Sequence, residues 1–301
     1  MSPPATNQIS PMRWIIVIVF GIISWVMISK QLTDSSAIPP GEKFLKEGNL
    51  PKAQFEFEKT IKEDPASPQN YLSVAGSCQR VGKADLALGY LERALHACKD
   101  APLPARAELY SIQAGIFQLF EKKPQNQSLL ASQRAMQLDP SNAQYLNSYG
   151  YLLADNLPEG DPRLAESAKI LTRALVLIRT EKNFWTRLLN PVPELMKETA
   201  APAFEDSYGW VLYKQNQPER AISALQQAIQ DHDDLVVAGK VSGDKKEIAA
   251  LLKVLYYHLG ASYQKANKKE EARRAYQTSL GFDKDFPEAK EALAQLAGDK
   301  P

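Results

Sequence analysis

The chain has 301 residues, of which 44% are hydrophobic and 24% are charged, a composition typical of a folded protein. Its 36 Lys and Arg nearly balance its 35 Asp and Glu, so a net charge of +1 gives no support for nucleic acid as a partner. Two cysteines are too few for a disulfide-rich scaffold or a four-thiolate zinc site.

The first feature along the chain is an uncharged, apolar run over residues 14–29, framed by Arg13 and Lys30. As a helix it would extend about 24 Å, against roughly 30 Å of hydrocarbon in a bilayer. The two flanking cations can reach the interface and so cover part of the difference. We therefore predict an N-terminal tail and single transmembrane helix over 1–30, followed by a linker over 31–40.

Two further predictions concern the orientation of this segment and its fate. A short tail ahead of a first hydrophobic segment usually stays in the cytoplasm, so we expect a single-pass membrane protein whose remaining residues are extracytoplasmic, that is, periplasmic. A cleaved signal peptide is the alternative, because residues 35–37 (Ser-Ser-Ala) have the small side chains that a signal peptidase reads. They lie well beyond the apolar run.

Beyond residue 40 the chain repeats itself with a period of 34 residues, and small side chains recur in register with large ones. The matched pairs are Gly48 with Gly82, Ala53 with Ala87, Phe57 with Leu91, and Thr60 with Ala94. Small residues let the two helices of a pair approach closely, and a large residue fills the space beyond them. This pattern resembles the tetratricopeptide-repeat (TPR) family, in which pairs of helices stack on one another.

The resemblance implies an all-α solenoid of about six helix–turn–helix pairs over 41–301. The first repeat covers 34–67, with its opening helix shortened by Pro39 and Pro40, and the others begin near residues 68, 102, 143, 202 and 253. The fourth repeat carries a short insertion at 158–162 between its helices. Residues 287–297 read as a more polar closing helix, which a solenoid needs to shield its last apolar face.

Two longer insertions, 178–201 and 230–246, interrupt the array. The first contains Trp185 among leucines and prolines, and the second is polar over 240–246. Insertions in repeat proteins gather on one face and often reach the binding surface. The Trp185 segment is either an extended helix that packs on its own repeats or a protrusion that binds a partner.

No motif for catalysis or cofactor binding is recognisable in the sequence. The three histidines, His96, His232 and His258, have no metal-ligand spacing, and neither a phosphate-binding glycine loop nor a nucleophile elbow occurs. Cys78 and Cys98 fall in apolar helical pattern, where a free cysteine packs as a small hydrophobe. We therefore expect no enzyme activity, no cofactor, no metal and no small-molecule substrate.

The resemblance also implies where a ligand would bind, because the first helices of stacked TPRs line a concave groove. The groove-facing positions of the fourth, fifth and sixth repeats carry aromatic, amide and charged side chains suited to a protein or peptide partner. They are Asn147, Tyr151, Asp155, Asp206, Trp210, Tyr213, Lys214, Tyr257, Gln264 and Lys265. The alternative is that Tyr151, Trp210 and Tyr257 only pack one repeat against the next.

Together these features predict a membrane-tethered scaffold or adaptor that assembles a protein complex in a bacterial envelope. Tethering would raise its effective concentration for partners in the same membrane. Two alternatives remain open: a chaperone-like biogenesis or transport subunit that holds client polypeptides, and an organellar import receptor whose repeats face the cytosol.

Overall fold

The computed structural model describes residues 38–120, 126–180, 194–239 and 245–298. These residues form thirteen helices, which fall into two compact units, one ending at Pro140 and the other beginning at Ser141. The first unit contains α1 (Pro40–Lys46), α2 (Leu50–Glu63), α3 (Pro68–Arg80), α4 (Ala84–Ala97), α5 (Leu103–Phe117) and α6 (Gln127–Leu138). The second contains α7 (Ala143–Asn156), α8 (Leu164–Thr180), α9 (Glu194–Lys214), α10 (Pro218–Val237), α11 (Lys245–Lys265), α12 (Lys269–Phe282) and α13 (Pro287–Gly298).

The first unit consists of three helix pairs, α1–α2, α3–α4 and α5–α6. Its core is a continuous cluster of buried apolar side chains from α1 to α5, in which Phe57 meets Tyr90 edge to face at 5.8 Å between ring centroids. Cys78 and Cys98 are free thiols buried in this cluster, which confirms that both pack as small hydrophobes. Burial raises the pKa of the Cys78 thiol to about 12.

The second unit continues the same arrangement with α7–α8, α9–α10 and α11–α12, and α13 closes it. On α13 and just before it, Ala289 and Phe286 pack against Val254, and Leu296 packs in the cluster that contains Tyr276. The six helix pairs predicted from the 34-residue period are therefore present in the described residues.

The close approach of paired helices depends on glycines that face large side chains. A Cβ atom built on Gly209 would lie 2.6 Å from Cγ of Leu225, and one built on Gly260 would lie 2.5 Å from Cδ1 of Tyr276. Real side chains do not tolerate such distances, so only glycine fits at these crossings. The small–large pattern in the sequence thus has the physical meaning that the repeat interpretation gave it.

Two helices begin before the starts predicted for their repeats. The fifth repeat was expected to begin near Pro202, but α9 begins at Glu194 and runs through that proline. The sixth was expected near Lys253, but α11 begins at Lys245. In both cases the preceding residues, Glu-Leu-Met-Lys-Glu-Thr-Ala-Ala and Lys-Lys-Glu-Ile-Ala-Ala-Leu-Leu, are mostly strong helix formers that extend the helix backwards. The described parts of 178–201 and 230–246 accordingly belong to helices α8 to α11.

The predicted membrane segment at 14–29, most of the linker at 31–40, and Trp185 lie outside the described residues. Of the helices that the structure does describe, none combines the length and the apolar character needed to span a membrane.

The first helix is short, as the two prolines predicted. It has only 7 residues, whereas α3 and α5, which open the next two repeats, have 13 and 15. Glu42 anchors it: this carboxylate is buried and accepts hydrogen bonds from Arg80 at 2.8 Å, and it pairs with Lys46 at 2.9 Å. Burial alone would raise the pKa of Glu42, but the bonds from Arg80 and Lys46 outweigh it and lower this pKa.

Candidate functional site

The candidate groove is built from the first helices of the last three repeats. Helix α9 lies between α7 and α11 and contacts both, so the ten residues chosen from the sequence lie on adjacent helices of one unit. Their exposure divides them into two groups. The buried group is Asn147, Tyr151, Asp206, Trp210 and Lys214. The half-buried group is Asp155, Tyr213, Tyr257, Gln264 and Lys265.

Trp210 lies inside a stack of three rings. Its indole is parallel to Tyr213 on the same helix, with 4.9 Å between centroids and 9° between planes. It also stacks on His258 of the neighbouring helix α11, with 4.3 Å between ring centroids and 20° between planes. With 6% of its surface exposed, Trp210 joins the fifth repeat to the sixth, which corresponds to the packing alternative for this residue.

His258 is a central residue that the sequence interpretation did not select. It is completely buried, and its Nδ1 lies 2.8 Å from Oδ1 of Asp206 on α9. The family's groove-facing positions select Tyr257 and not the adjacent residue, His258. No sequence signal joins His258 to Asp206, because the pair is made only when α9 and α11 pack together.

Lys214 caps the C-terminal end of α7, the first helix of the preceding repeat. Its Nζ donates to the backbone carbonyls of Ala154, at 2.9 Å, Asp155, at 3.2 Å, and Leu157. These carbonyls lie at the C-terminus of α7, where the helix dipole favours a cation, and the Ala154 carbonyl also accepts a hydrogen bond from the Leu157 N–H at 3.2 Å. Burial lowers the pKa of Lys214, and the nearby carboxylates of Asp155 and Glu159 oppose that effect.

Lys265 and Tyr213 hold the inserted turn at 158–162 from the other side. Nζ of Lys265 lies 2.5 Å from Oε2 of Glu159, donates to the carbonyl of Tyr213 at 3.1 Å, and sits 4.2 Å from the centre of the Tyr213 ring. Burial raises the pKa of Tyr213, and the carboxylate of Glu159 raises it further. The inserted turn is therefore tied to both α9 and α11.

Tyr257 and Gln264 are half-buried residues whose side chains keep hydrogen-bonding groups available to a ligand. The Tyr257 ring packs against Tyr276 and Phe286, at 5.9 and 5.5 Å, and its hydroxyl makes no hydrogen bond to the described residues. Burial, followed by the charges of acidic residues on α13, raises the pKa of Tyr257 to about 12. Gln264 accepts a hydrogen bond from Tyr276 at 2.8 Å through its carbonyl oxygen, which leaves its amide N–H groups for a ligand.

Buried polar atoms in or beside this set also lack a partner in the described part of the chain, among them Oδ1 of Asn147, Nε1 of Trp210 and Nε2 of His258. An unpaired buried donor is unfavourable by about 1–3 kcal/mol unless it finds an acceptor. These atoms are buried, so the groups that a ligand could reach are the half-buried Tyr257 and Gln264, which suit the backbone and apolar side chains of a polypeptide. Within the described residues, no group of His, Cys, Asp and Glu side chains could hold a metal ion.

A sequence profile described as tetratricopeptide repeat matches residues 207–234 and 255–281. These two stretches lie in α9–α10 and α11–α12, the pairs that contain the glycine contacts of Gly209 and Gly260. These two stretches of the chain are therefore similar to the tetratricopeptide repeat. TPR proteins are typically non-catalytic scaffolds that bind other proteins, which agrees with the partner class expected from the sequence.

Solved TPR structures resemble the chain weakly. YrrB, a TPR protein with an unusual peptide-binding site, is 16% identical, with a TM-score of 0.44 over 78% of this chain and 96% of its own. A tetratricopeptide repeat protein from Parabacteroides merdae is 16% identical, with a TM-score of 0.40 over 91% and 99%. The TPR domain of P58(IPK) is 14% identical, with a TM-score of 0.28 over 90% and 98%. The curated proteins contain no match to the chain.

Proposed function

We propose that this TPR protein is a membrane-tethered scaffold that binds a partner polypeptide along α7, α9 and α11 and thereby helps to assemble an envelope complex. The observation that carries the proposal is the division of the face into two layers. Buried residues such as Trp210 and Lys214 lock the three helices together, and half-buried residues such as Tyr257 and Gln264 remain for a ligand. A rigid platform with a few available polar and aromatic groups favours specific binding.

The proposed binding surface is narrower than the ten residues chosen from the sequence. Its accessible members are Asp155, Tyr213, Tyr257, Gln264 and Lys265. Asp206 and Asn147 are buried, so their role would be to hold the surface and not to contact the ligand. Partner retention should therefore depend on Tyr257 and Gln264 without depending on the stability of the fold.

We expect the double variant Tyr257→Phe with Gln264→Ala to lose about tenfold in partner recovery. It removes a hydroxyl and an amide, and each hydrogen bond lost at a binding surface is worth roughly 0.5–1.5 kcal/mol. The measurement is quantitative mass spectrometry of proteins that co-purify with the full chain from its native membranes, together with circular dichroism.

A matched control is Tyr263→Phe with Gln226→Ala, which removes an equivalent pair from the same unit, where Gln226 donates to Tyr263 at 2.9 Å. Recovery should stay unchanged in this control. Equal recovery from both double variants would refute the proposed surface. Recovery of many unrelated polypeptides by the wild type would instead favour the chaperone-like alternative.

The membrane part of the proposal rests on the sequence of residues 14–29 alone. We expect the full chain to remain in the membrane fraction after carbonate extraction. In intact spheroplasts, added protease should digest the repeats, because we propose that they lie outside the cytoplasm. If the repeats were protected in sealed spheroplasts and digested only after lysis, they would lie in the cytoplasm. That result would contradict the proposed orientation and favour the import-receptor or another cytoplasmic alternative.

A further inference from the structure

The shortened first helix leaves a cavity of about 220 Å³ in the first unit. It opens beside Pro39 and Pro40, between the second half of α2 and the middle of α3. In a complete repeat the first two turns of the opening helix would occupy this position, antiparallel to α2 and beside the helix that opens the next repeat. We call this cavity the α1 notch.

Helix α1 begins at Pro40 and does not extend into the notch. Pro40 is the first residue of the helix and Pro39 has φ −53° and ψ 136°, an extended conformation. Each proline lacks an N–H and disfavours the helical conformation of the residue before it, so the hydrogen-bond ladder stops here. A segment that filled the notch with helix would have to come from elsewhere.

The chemistry of the notch is asymmetric. Its floor consists of the buried side chains of Phe57, Val74 and Ser77. On its α2 side it carries Glu56 and Glu63, whose carboxylates make no hydrogen bond or ion pair with the described residues, and one cation, Lys59. An apolar floor beside two unpaired carboxylates complements a segment that is apolar on one side and basic at its flank.

We propose that the α1 notch docks a short helical segment of a partner protein, which supplies the missing turns of the first repeat. Apolar side chains of this segment would contact Phe57 and Val74, and Lys or Arg at its flank would pair with Glu56 and Glu63. The volume supports a few side chains and not a small-molecule ligand, because sites for such ligands usually measure roughly 300–1,000 Å³. This site is separate from the α7, α9 and α11 surface.

Site-specific photocrosslinking of the full chain in its native membranes tests the proposal. Ser73, a half-buried residue at the edge of the notch, is replaced by p-benzoylphenylalanine, and the crosslinked peptide is sequenced by mass spectrometry. We expect one discrete adduct with a different protein, at a segment with apolar residues and adjacent Lys or Arg. Adding Glu56→Gln and Glu63→Gln should reduce the adduct by about three- to tenfold, as expected for the loss of two exposed ion pairs.

The same photoreactive residue at Gln79, on α3 but outside the notch, is the matched control and should give no such adduct. Several results would overturn the proposal. The first group concerns the wrong partner: a crosslink within the chain to the residues that precede Ile38, or a crosslink to a second copy of the chain. The second group concerns specificity: an equally strong adduct from Gln79, or an adduct unaffected by the two glutamine substitutions. The absence of any adduct would also overturn the proposal.

Discussion

Replacing Gly150 by leucine is expected to lower the free energy of unfolding of the second unit by about 3 kcal/mol or more. A Cβ atom at this position would lie 2.8 Å from Cγ of Leu171 and 3.3 Å from Cγ2 of Ile170. Leu171 is buried to 1% exposure, so it has no space into which it can move. The helices α7 and α8 would have to separate, which exposes core surface. Chemical denaturation of the full chain in detergent, followed by circular dichroism, measures the change.

The matched control is Gly89→Leu, because Gly89 lies in the middle of α4, is exposed, and has no neighbouring atom within 4 Å of a built Cβ. Leucine is a better helix former than glycine by roughly 0.5–1 kcal/mol, so this variant should be as stable as the wild type or slightly more so. If the two variants unfolded at the same denaturant concentration, the glycine contact would not determine the packing of the repeat.

The fold was predictable because the same helix–helix contact recurs in each repeat and leaves the same pattern of small and large residues in the sequence. A glycine on a first helix faces a large residue on the second: Gly209 and Gly260 face Leu225 and Tyr276 sixteen residues later. At Gly150 the partner Leu171 comes twenty-one residues later, and the difference of five equals the length of the inserted turn at 158–162. The insertion therefore lengthens the connection and leaves the helix contact unchanged.

Helix boundaries were less predictable, because a helix can begin before the position at which the repeat pattern starts. Pro202 lies inside α9, and Pro40 begins α1. The difference lies in what precedes them. Good helix formers precede Pro202, whereas Pro39 precedes Pro40 and cannot continue a helical ladder.

The exposure of the candidate residues was not predictable from the sequence. Family positions place Trp210 and Lys214 on α9 as groove-facing residues, yet the two side chains are buried. Burial here depends on long-range partners: the ring of His258 covers Trp210, and carbonyls near the end of α7 surround the ammonium of Lys214. A sequence shows neither contact, because the partners lie in other repeats.

Lys214→Met is expected to lower the free energy of unfolding by about 2–3 kcal/mol. The variant leaves carbonyls of Ala154, Asp155 and Leu157 without the ammonium that they share. A buried acceptor without a donor is unfavourable by about 1–3 kcal/mol, and the charged donor makes the bond stronger than a neutral one. The Ala154 carbonyl keeps its hydrogen bond from the Leu157 N–H, so the loss falls mainly on the buried carbonyl of Leu157. Removing a buried charge also relieves its desolvation, which partly opposes this loss.

The matched control for this variant is Lys265→Met, on the equivalent position of the next repeat. Its ammonium pairs with Glu159, whose side chain is 47% exposed, and donates to one part-buried carbonyl, that of Tyr213, so the loss should be only about 1 kcal/mol. Denaturation of both variants at neutral pH separates the two cases. Equal losses would contradict a special role for the carbonyl contacts at the end of α7.

The pH dependence of the Lys214→Met effect follows from the lowered pKa of Lys214. The folded state releases the Lys214 proton at lower pH than the unfolded state does, because burial disfavours the charged ammonium. As pH rises from the folded pKa towards the ordinary value of 10.5, the unfolded state therefore holds more protons, and the wild type becomes more stable relative to the variant. Burial raises the pKa values of the tyrosines around this site, and their titration is common to both proteins, so their contribution cancels in the difference. A difference in unfolding free energy that stays constant from pH 7 to about pH 10.5 would mean that Lys214 is not desolvated.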